Sequence, residues 1–259
     1  MLAERVLPLS GIHNFRDYGG YAVEGGGRLR DRTLWRSAHH ETASDEDLAA
    51  LDQLGIETVI DLRGDDERAI HPCRRSENFS ARVLFAGGIT AGLAAHLQAA
   101  GGAIDAETAR ERMIDTYAGM PYRPALVATL RLYVAALAEY DAPSLVHCVA
   151  GKDRTGFGVA VVHRLLGVHE DDLMQDYLLT NTAGRIDERI EQGAAHIRAR
   201  NGAEIHDDAI RALMSVNPAY LDAALATVRR DHGDIPTYAE AVLNLTPEMR
   251  EAMIDRLVI

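Results

Sequence analysis

The densest chemistry in the chain lies in one run of ten residues, His147-Cys148-Val149-Ala150-Gly151-Lys152-Asp153-Arg154-Thr155-Gly156. A free thiol ionises near about pH 8.5, and a helix N-terminus, neighbouring cations and loop N–H groups each lower that value. All three are available around Cys148. Five residues separate Cys148 from Arg154, a length over which a loop can curl and set a guanidinium opposite the sulfur. The planar fork of arginine takes two oxygens of a phosphate, a geometry that lysine cannot match. The N–H groups of Val149, Ala150, Gly151, Lys152, Asp153, Arg154, Thr155 and Gly156 can take up the remaining charge. The chemistry expected of such a set is in-line attack of a thiolate on phosphorus, giving a cysteinyl-phosphate that water then cleaves.

Other readings of these residues fit less well. A nucleotide-binding loop of the Walker type needs a glycine five residues before Gly151-Lys152 and a Ser or Thr after them, and has neither here. A rhodanese-type sulfur-transfer loop has a shorter cysteine-to-arginine spacing. Cys73 sits in the polar run His71-Pro72-Cys73-Arg74-Arg75 and is expected to be incidental. His147 fits a buried histidine satisfied by a backbone partner, a role compatible with setting the loop.

The elements that must position the loop are legible on either side. Ser144 to Cys148 is a short apolar strand, and the helix that follows runs through Val159, Val162, Leu165 and Leu166 until Gly167 stops it. Strand, tight loop and helix is the arrangement that aims backbone N–H groups at an anion. Upstream, Leu2 to Trp35 reads as a glycine-punctuated hairpin or arm. Ser44 caps a predicted helix carrying Leu48, Leu51 and Leu54, and Gly55 ends it before a strand at Ile56 to Leu62. A second strand is predicted at Ala81 to Phe85. Leu126, Leu130, Tyr133, Val134 and Leu137 mark an amphipathic helix. Beyond Gly167 the chain is predicted to be mainly helical, with helices at 170–181, near 184–200, at 218–230 and at 247–257. Residues 86–121 show thin apolar faces and are read as a helical insertion, a candidate lid that weak packing leaves mobile.

Helices alternating with a few strands give an α/β fold. At 259 residues with no evident linker, a single domain over 1–259 is expected. The formal charge of −12 excludes nucleic acid and anionic membranes as natural partners, so any phosphate must meet a local positive site. Two cysteines cannot frame a disulfide scaffold, and no apolar run approaches the ~18 to 20 residues of a membrane span. The start lacks the pattern of a signal peptide, and a cytoplasmic setting is the expectation. Of 27 basic residues one alone is lysine, Lys152. A compact ammonium is hard to replace by arginine in a crowded loop that already holds Arg154.

The run 147–156 resembles the HCxxGKDRTG signature of the bacterial atypical tyrosine/dual-specificity phosphatases, in which the Lys-Asp pair is the narrow feature. Asn14-Phe15-Arg16-Asp17-Tyr18-Gly19-Gly20 is similar to that family's N-terminal element, Trp35-Arg36-Ser37-Ala38 to a strand end, and Asp61-Leu62-Arg63 with Glu67 to a further segment. Asp176-Tyr177-Leu178-Leu179-Thr180-Asn181 and Tyr220-Leu221 resemble its C-terminal marks. The resemblance implies a cysteine-phosphatase-like fold: a small, mainly parallel central sheet flanked by helices, with a helical lid insertion and a helical C-terminal part. It implies Cys148 as nucleophile, Arg154 as phosphate clamp, Lys152 and Asp153 as further active-loop groups, and Thr155 as a stabiliser of the thiolate or the loop. Asp153 becomes the leading general acid and base. Asp65, Asp66 and Asp105 stand in reserve, since Phe85-Ala86-Gly87-Gly88 carries no acid where a separate acid loop is expected.

Arg16, Arg36 and Arg63 have two open readings: ion-paired or surface residues, or cations converging on the phosphate. The expected enzyme is a metal-independent phosphomonoesterase without cofactor, acting on a phosphorylated protein or a phospholipid headgroup and releasing inorganic phosphate. A phosphoinositide phosphatase on the same site and a non-catalytic phosphate-binding pseudophosphatase are the alternatives.

Overall fold

The computed structural model describes residues 5–89, 104–191 and 205–259. Five strands form one sheet: β1 (Arg16–Asp17), β2 (Leu34–Ser37), β3 (Thr58–Asp61), β4 (Arg82–Leu84) and β5 (Ser144–His147). Their order is β1-β2-β5-β3-β4, parallel throughout except for antiparallel β1 at the edge. The mainly parallel sheet expected from the sequence is therefore present. β5 lies at its centre, paired with β2 through Ser37↔His147 and with β3 through Asp61↔His147. Cys148 leaves the middle of the sheet at the carboxyl ends of its strands, where α/β folds place their ligands.

The alternation of side chains along each strand divides the core in two. Trp35, Val59 and Leu145 point to one face, where they pack with Ile12, Phe15 and Leu48. Leu48 comes from α1 (Asp45–Asp52), which begins at the predicted cap: Ser44 accepts from the Asp47 N–H, and Asp47 returns the bond to Ser44. Leu34, Ile60 and Val146 point to the other face and join the larger core. That core is built from α4 (Pro124–Glu139), α5 (Asp153–Leu165) and the C-terminal helices. Short α2 (Asp65–Ile70), which the sequence did not reveal, follows β3.

The C-terminal part comprises α6 (Glu170–Leu178), α7 (Thr180–Ala183), α8 (Asp207–Met214), α9 (Pro218–His232), α10 (Ile235–Leu243) and α11 (Pro247–Leu257), with 186–191 also helical. Asn217 and Thr246 cap α9 and α11 ahead of their first-turn prolines, as their residue types predict. α8 and α10 were not foreseen.

The expected insertion at 86–121 divides. Residues 90–103 lie outside the described residues. Residues 106–118 form α3 (Ala106–Ala118), which is not loosely held: Ala109, Met113 and Tyr117 are fully buried, and the helix packs against α8 and α9. Its apolar face is thin because small Ala109 and polar Thr116 complete it, not because it lacks partners. Among the described residues no helix is long and apolar enough to cross a membrane.

Candidate active site

The loop from Cys148 to Lys152 connects the end of β5 to the start of α5. Its tight curl needs Gly151, which has φ +63°, and whose absent Cβ would fall on the backbone carbonyl of Ser37. None of the backbone N–H groups from Val149 to Asp153 has a partner among the described residues, so these donors are available to an anion.

Arg154 is held by the carboxylate of Glu67, which the sequence offers only as part of a motif. Glu67 Oε2 accepts from Arg154 Nη1 at 2.5 Å and Oε1 from Nη2 at 2.8 Å. Nη1 also donates to the Leu62 carbonyl at 3.2 Å. Burial works against the guanidinium charge, but the Glu67 bonds and the nearby Cys148 sulfur outweigh it and hold Arg154 above the ordinary arginine range. Glu67 is itself fixed by the Gly64 N–H at 2.9 Å at the start of α2. An acid three residues after a glycine at a helix start was the available signal for this bond.

Asp153 opens α5. Its Oδ1 accepts from the Tyr117 hydroxyl at 2.8 Å and lies 3.0 Å from Lys152 Nζ. Tyr117 in turn accepts from the Tyr177 hydroxyl at 2.8 Å. Gly156 permits this relay, because a Cβ there would press on the Tyr177 ring. Oδ2 carries no such bond, and the side chain keeps partial exposure. Lys152 is buried, with its ammonium donating to the carbonyls of Leu213 at 2.7 Å and Ser215 at 3.2 Å. Those carbonyls close the C-terminal end of α8, a site that favours a compact cation. The lone lysine thus ties the loop to the C-terminal helices.

Two of the three reserve acids are otherwise engaged. Asp105 caps α3 through the Thr108 N–H at 2.8 Å, which lowers its pKa. Asp65 pairs with Arg68 and accepts from the Gly88 N–H at 2.6 Å. Among the described residues, Asp66 has no hydrogen-bond partner and Thr155 Oγ1 is buried without one.

The three open arginines resolve toward ion pairs. Arg16 and Arg36 are both fully buried and share Asp176: Arg16 Nε lies 3.1 Å from Oδ1 and Arg36 Nη1 2.5 Å from Oδ2. Burial alone would raise the Asp176 pKa, but the two guanidinium groups hold it well below the usual carboxylate range. The network then grips the loop, since Arg36 Nη2 and Asn14 Nδ2 donate to the Gly151 carbonyl at 3.0 and 2.7 Å. Arg63 forms a fork with Asp61 at 2.7 and 2.9 Å. Replacing Asp176 by asparagine strands two buried cations and should cost about 3 to 5 kcal/mol of stability in urea unfolding. A loss below about 1 kcal/mol would contradict this pairing.

Two further arginines border the site without a sequence signal. Burial lowers the pKa of Arg189, and Asp153 and Cys148 are near enough to oppose that shift. Burial and Arg154 lower that of Arg123. The long spacing of these residues from the loop hides them in one dimension.

His147 is fully buried and stacks on His40 with ring centroids 5.4 Å apart. Burial pushes His147 and His39 down to about 4 and His40 well below 6.5. These rings are neutral in the fold but take up protons below about pH 6.5 once unfolded. The unfolded chain therefore binds more protons between pH 6.5 and 4, and stability falls as pH falls through that window. His147 alone contributes on the order of 3 kcal/mol to this loss. Urea midpoints should drop steadily from pH 6.5 to 4; a flat profile would contradict the buried neutral rings.

Cys73 is half-buried and accepts from Arg63 Nη2 at 3.3 Å and from the His40 N–H at 3.4 Å. Among the described residues no group of three or more His, Cys, Asp or Glu side chains is placed to share a metal ion.

The sequence profile of the tyrosine phosphatase family matches residues 7–259. A Cupriavidus necator protein named as a tyrosine-protein phosphatase is 31% identical over 245 residues, spanning 92% of this chain and 84% of that protein. The triple specificity protein phosphatase PtpB of Mycobacterium tuberculosis is 31% identical over 267 residues, spanning 92% and 93%. The crystal structure of P. aeruginosa TpbA covers 75% of this chain and 96% of its own, at 17% identity and a TM-score of 0.31, a likeness too slight to carry an argument. With the profile spanning nearly the whole chain, this protein belongs to the tyrosine phosphatase family and is a protein-tyrosine-phosphatase-like hydrolase.

Proposed function

We propose that the protein hydrolyses phosphomonoesters through a cysteinyl-phosphate on Cys148, with phosphotyrosine as its primary substrate class. The observation that carries this reading is the two-point grip of Glu67 on Arg154, which sets a planar cation at the start of α5, next to the sulfur at the end of β5. The Cys148 thiolate attacks phosphorus in line while the ester P–O bond breaks, and the leaving oxygen takes a proton from Asp153. Water then attacks the phosphocysteine and gives its proton back to Asp153. The S–P bond breaks, and inorganic phosphate leaves. Arg154 and the loop N–H groups bind the three non-bridging oxygens, where charge develops. The Thr155 hydroxyl, without a partner among the described residues, is available to donate to the departing thiolate.

The name of the M. tuberculosis relative supports a wider range, in which phosphoserine, phosphothreonine and phosphoinositides also enter the site. Turnover of p-nitrophenyl phosphate in the presence of EDTA tests the chemistry. Undiminished activity is expected, and activity abolished by EDTA and restored by metal would overturn the metal-independent mechanism. A folded protein that binds phosphate but turns over no aryl phosphate would favour the pseudophosphatase reading.

The Tyr177–Tyr117–Asp153 relay gives the general acid its own test. A poor leaving group depends on proton donation far more than a good one does. Tyr117→Phe should therefore lower kcat on phenyl phosphate by roughly ten-fold and leave p-nitrophenyl phosphate within about three-fold. Equal losses on both substrates would show that the relay does not serve proton transfer.

A further inference from the structure

On the face of the sheet covered by α1 lies a cavity of about 270 Å³. Leu48, Leu51, Ile56, Val59, Phe79 and Leu145 give it apolar walls. Its charged groups are unequal. Arg74 is already committed to Asp45 Oδ1 at 2.6 Å and to the Ala43 carbonyl. Arg75 has no carboxylate partner among the described residues. Its guanidinium lies 4.5 Å from the centre of the Phe79 ring and bonds to His40 Nδ1 at 3.2 Å. Burial lowers its pKa, and Cys73 and the Asp61 carboxylate only partly offset that cost, which a bound anion in direct contact would relieve further. Asp52 and Glu57 also line the cavity and are exposed, which disfavours any ligand bearing two negative charges.

We propose that this cavity binds a small aromatic monocarboxylate, its carboxylate pairing with Arg75 and its ring lying between α1 and the sheet. The apolar walls match the ring, and a guanidinium with no carboxylate in direct contact among the described residues matches the single charge. Asp52 and Glu57 disfavour a phosphate monoester dianion, so the proposed occupant differs in kind from a substrate of the Cys148 loop.

Occupancy would be felt at that loop through a short chain of contacts. His40 is neutral, so with Nδ1 accepting from Arg75 its Nε2–H donates to Ser37 Oγ at 3.0 Å. The same ring stacks on His147, which precedes the nucleophile. Gly151 closes directly against the Ser37 backbone. A carboxylate that draws Arg75 away from His40 therefore acts two contacts from the phosphate-binding turn.

Titrating 2-naphthoate into the full chain under saturating inorganic phosphate tests the proposal by binding alone, so its failure is separate from any failure of the proposed activity. Saturable one-to-one binding by calorimetry is expected, with the largest amide shifts at Leu51, Gly55, Ser76 and Phe79 and smaller ones at Ser37 and His40. The uncharged 2-naphthylmethanol and the Arg75→Gln variant should each bind at least about ten-fold more weakly. Equal affinity for the alcohol, shifts confined to 148–156, or no binding would each overturn the proposal. Should Arg75→Gln fail to fold, the shift map and the alcohol comparison on the unaltered chain decide it.

Discussion

Replacing Cys148 by serine should reduce turnover of p-nitrophenyl phosphate by at least about four orders of magnitude, with the folded structure retained. Removing a nucleophile from a concerted site costs nearly the whole of its catalysis, because the remaining groups act on an intermediate that no longer forms. Serine has a similar size, and Cys148 is fully buried in a strand-to-helix turn whose shape comes from Gly151 and its carbonyl partners. Near-native melting and phosphate binding should therefore survive. Activity within about a hundred-fold of the wild type would remove the sulfur from the mechanism.

Arg154→Lys is expected to lower kcat by roughly 10²- to 10³-fold, although the charge is kept. Removing one pre-set donor from a site of developing charge has an effect of that order. The fork of Arg154 reaches both Glu67 oxygens and the Leu62 carbonyl at once, which an ammonium cannot do. The change should appear in kcat and kcat/KM alike, as expected of a group that acts on the phosphoryl in transfer. A variant that raised KM alone would show that Arg154 serves ground-state binding only.

The chain's legibility follows the length scale of each interaction. The loop 147–156, its strand and its helix are contiguous, so residue types and spacing were enough to place them. Local caps were equally open: Ser44, Asn217 and Thr246 each start the helix that their side chains predict. Partnerships across the fold were not. Glu67 and Arg154 are 87 residues apart, and Arg36 and Asp176 are 140 apart. Nothing in either neighbourhood shows that these charges meet.

Arg16 and Arg36 show the cost of this. As isolated cations they could be read as phosphate ligands, whereas fully buried beside Asp176 they support the loop from behind. α2 went unseen because it has only six residues, too few to display a helical period. α3 was misjudged for another reason. Its burial comes from α8 and α9, whose contact lies beyond the reach of its own sequence.

The most direct measurement is the capture of the covalent intermediate. Wild-type protein mixed with excess p-nitrophenyl phosphate and quenched in acid within the first turnovers should yield a phosphoryl group on the peptide carrying Cys148. The group should be missing in Cys148→Ser. Fully active protein with no modified Cys148 at any quench time, or with the phosphoryl group on another side chain, would contradict the account.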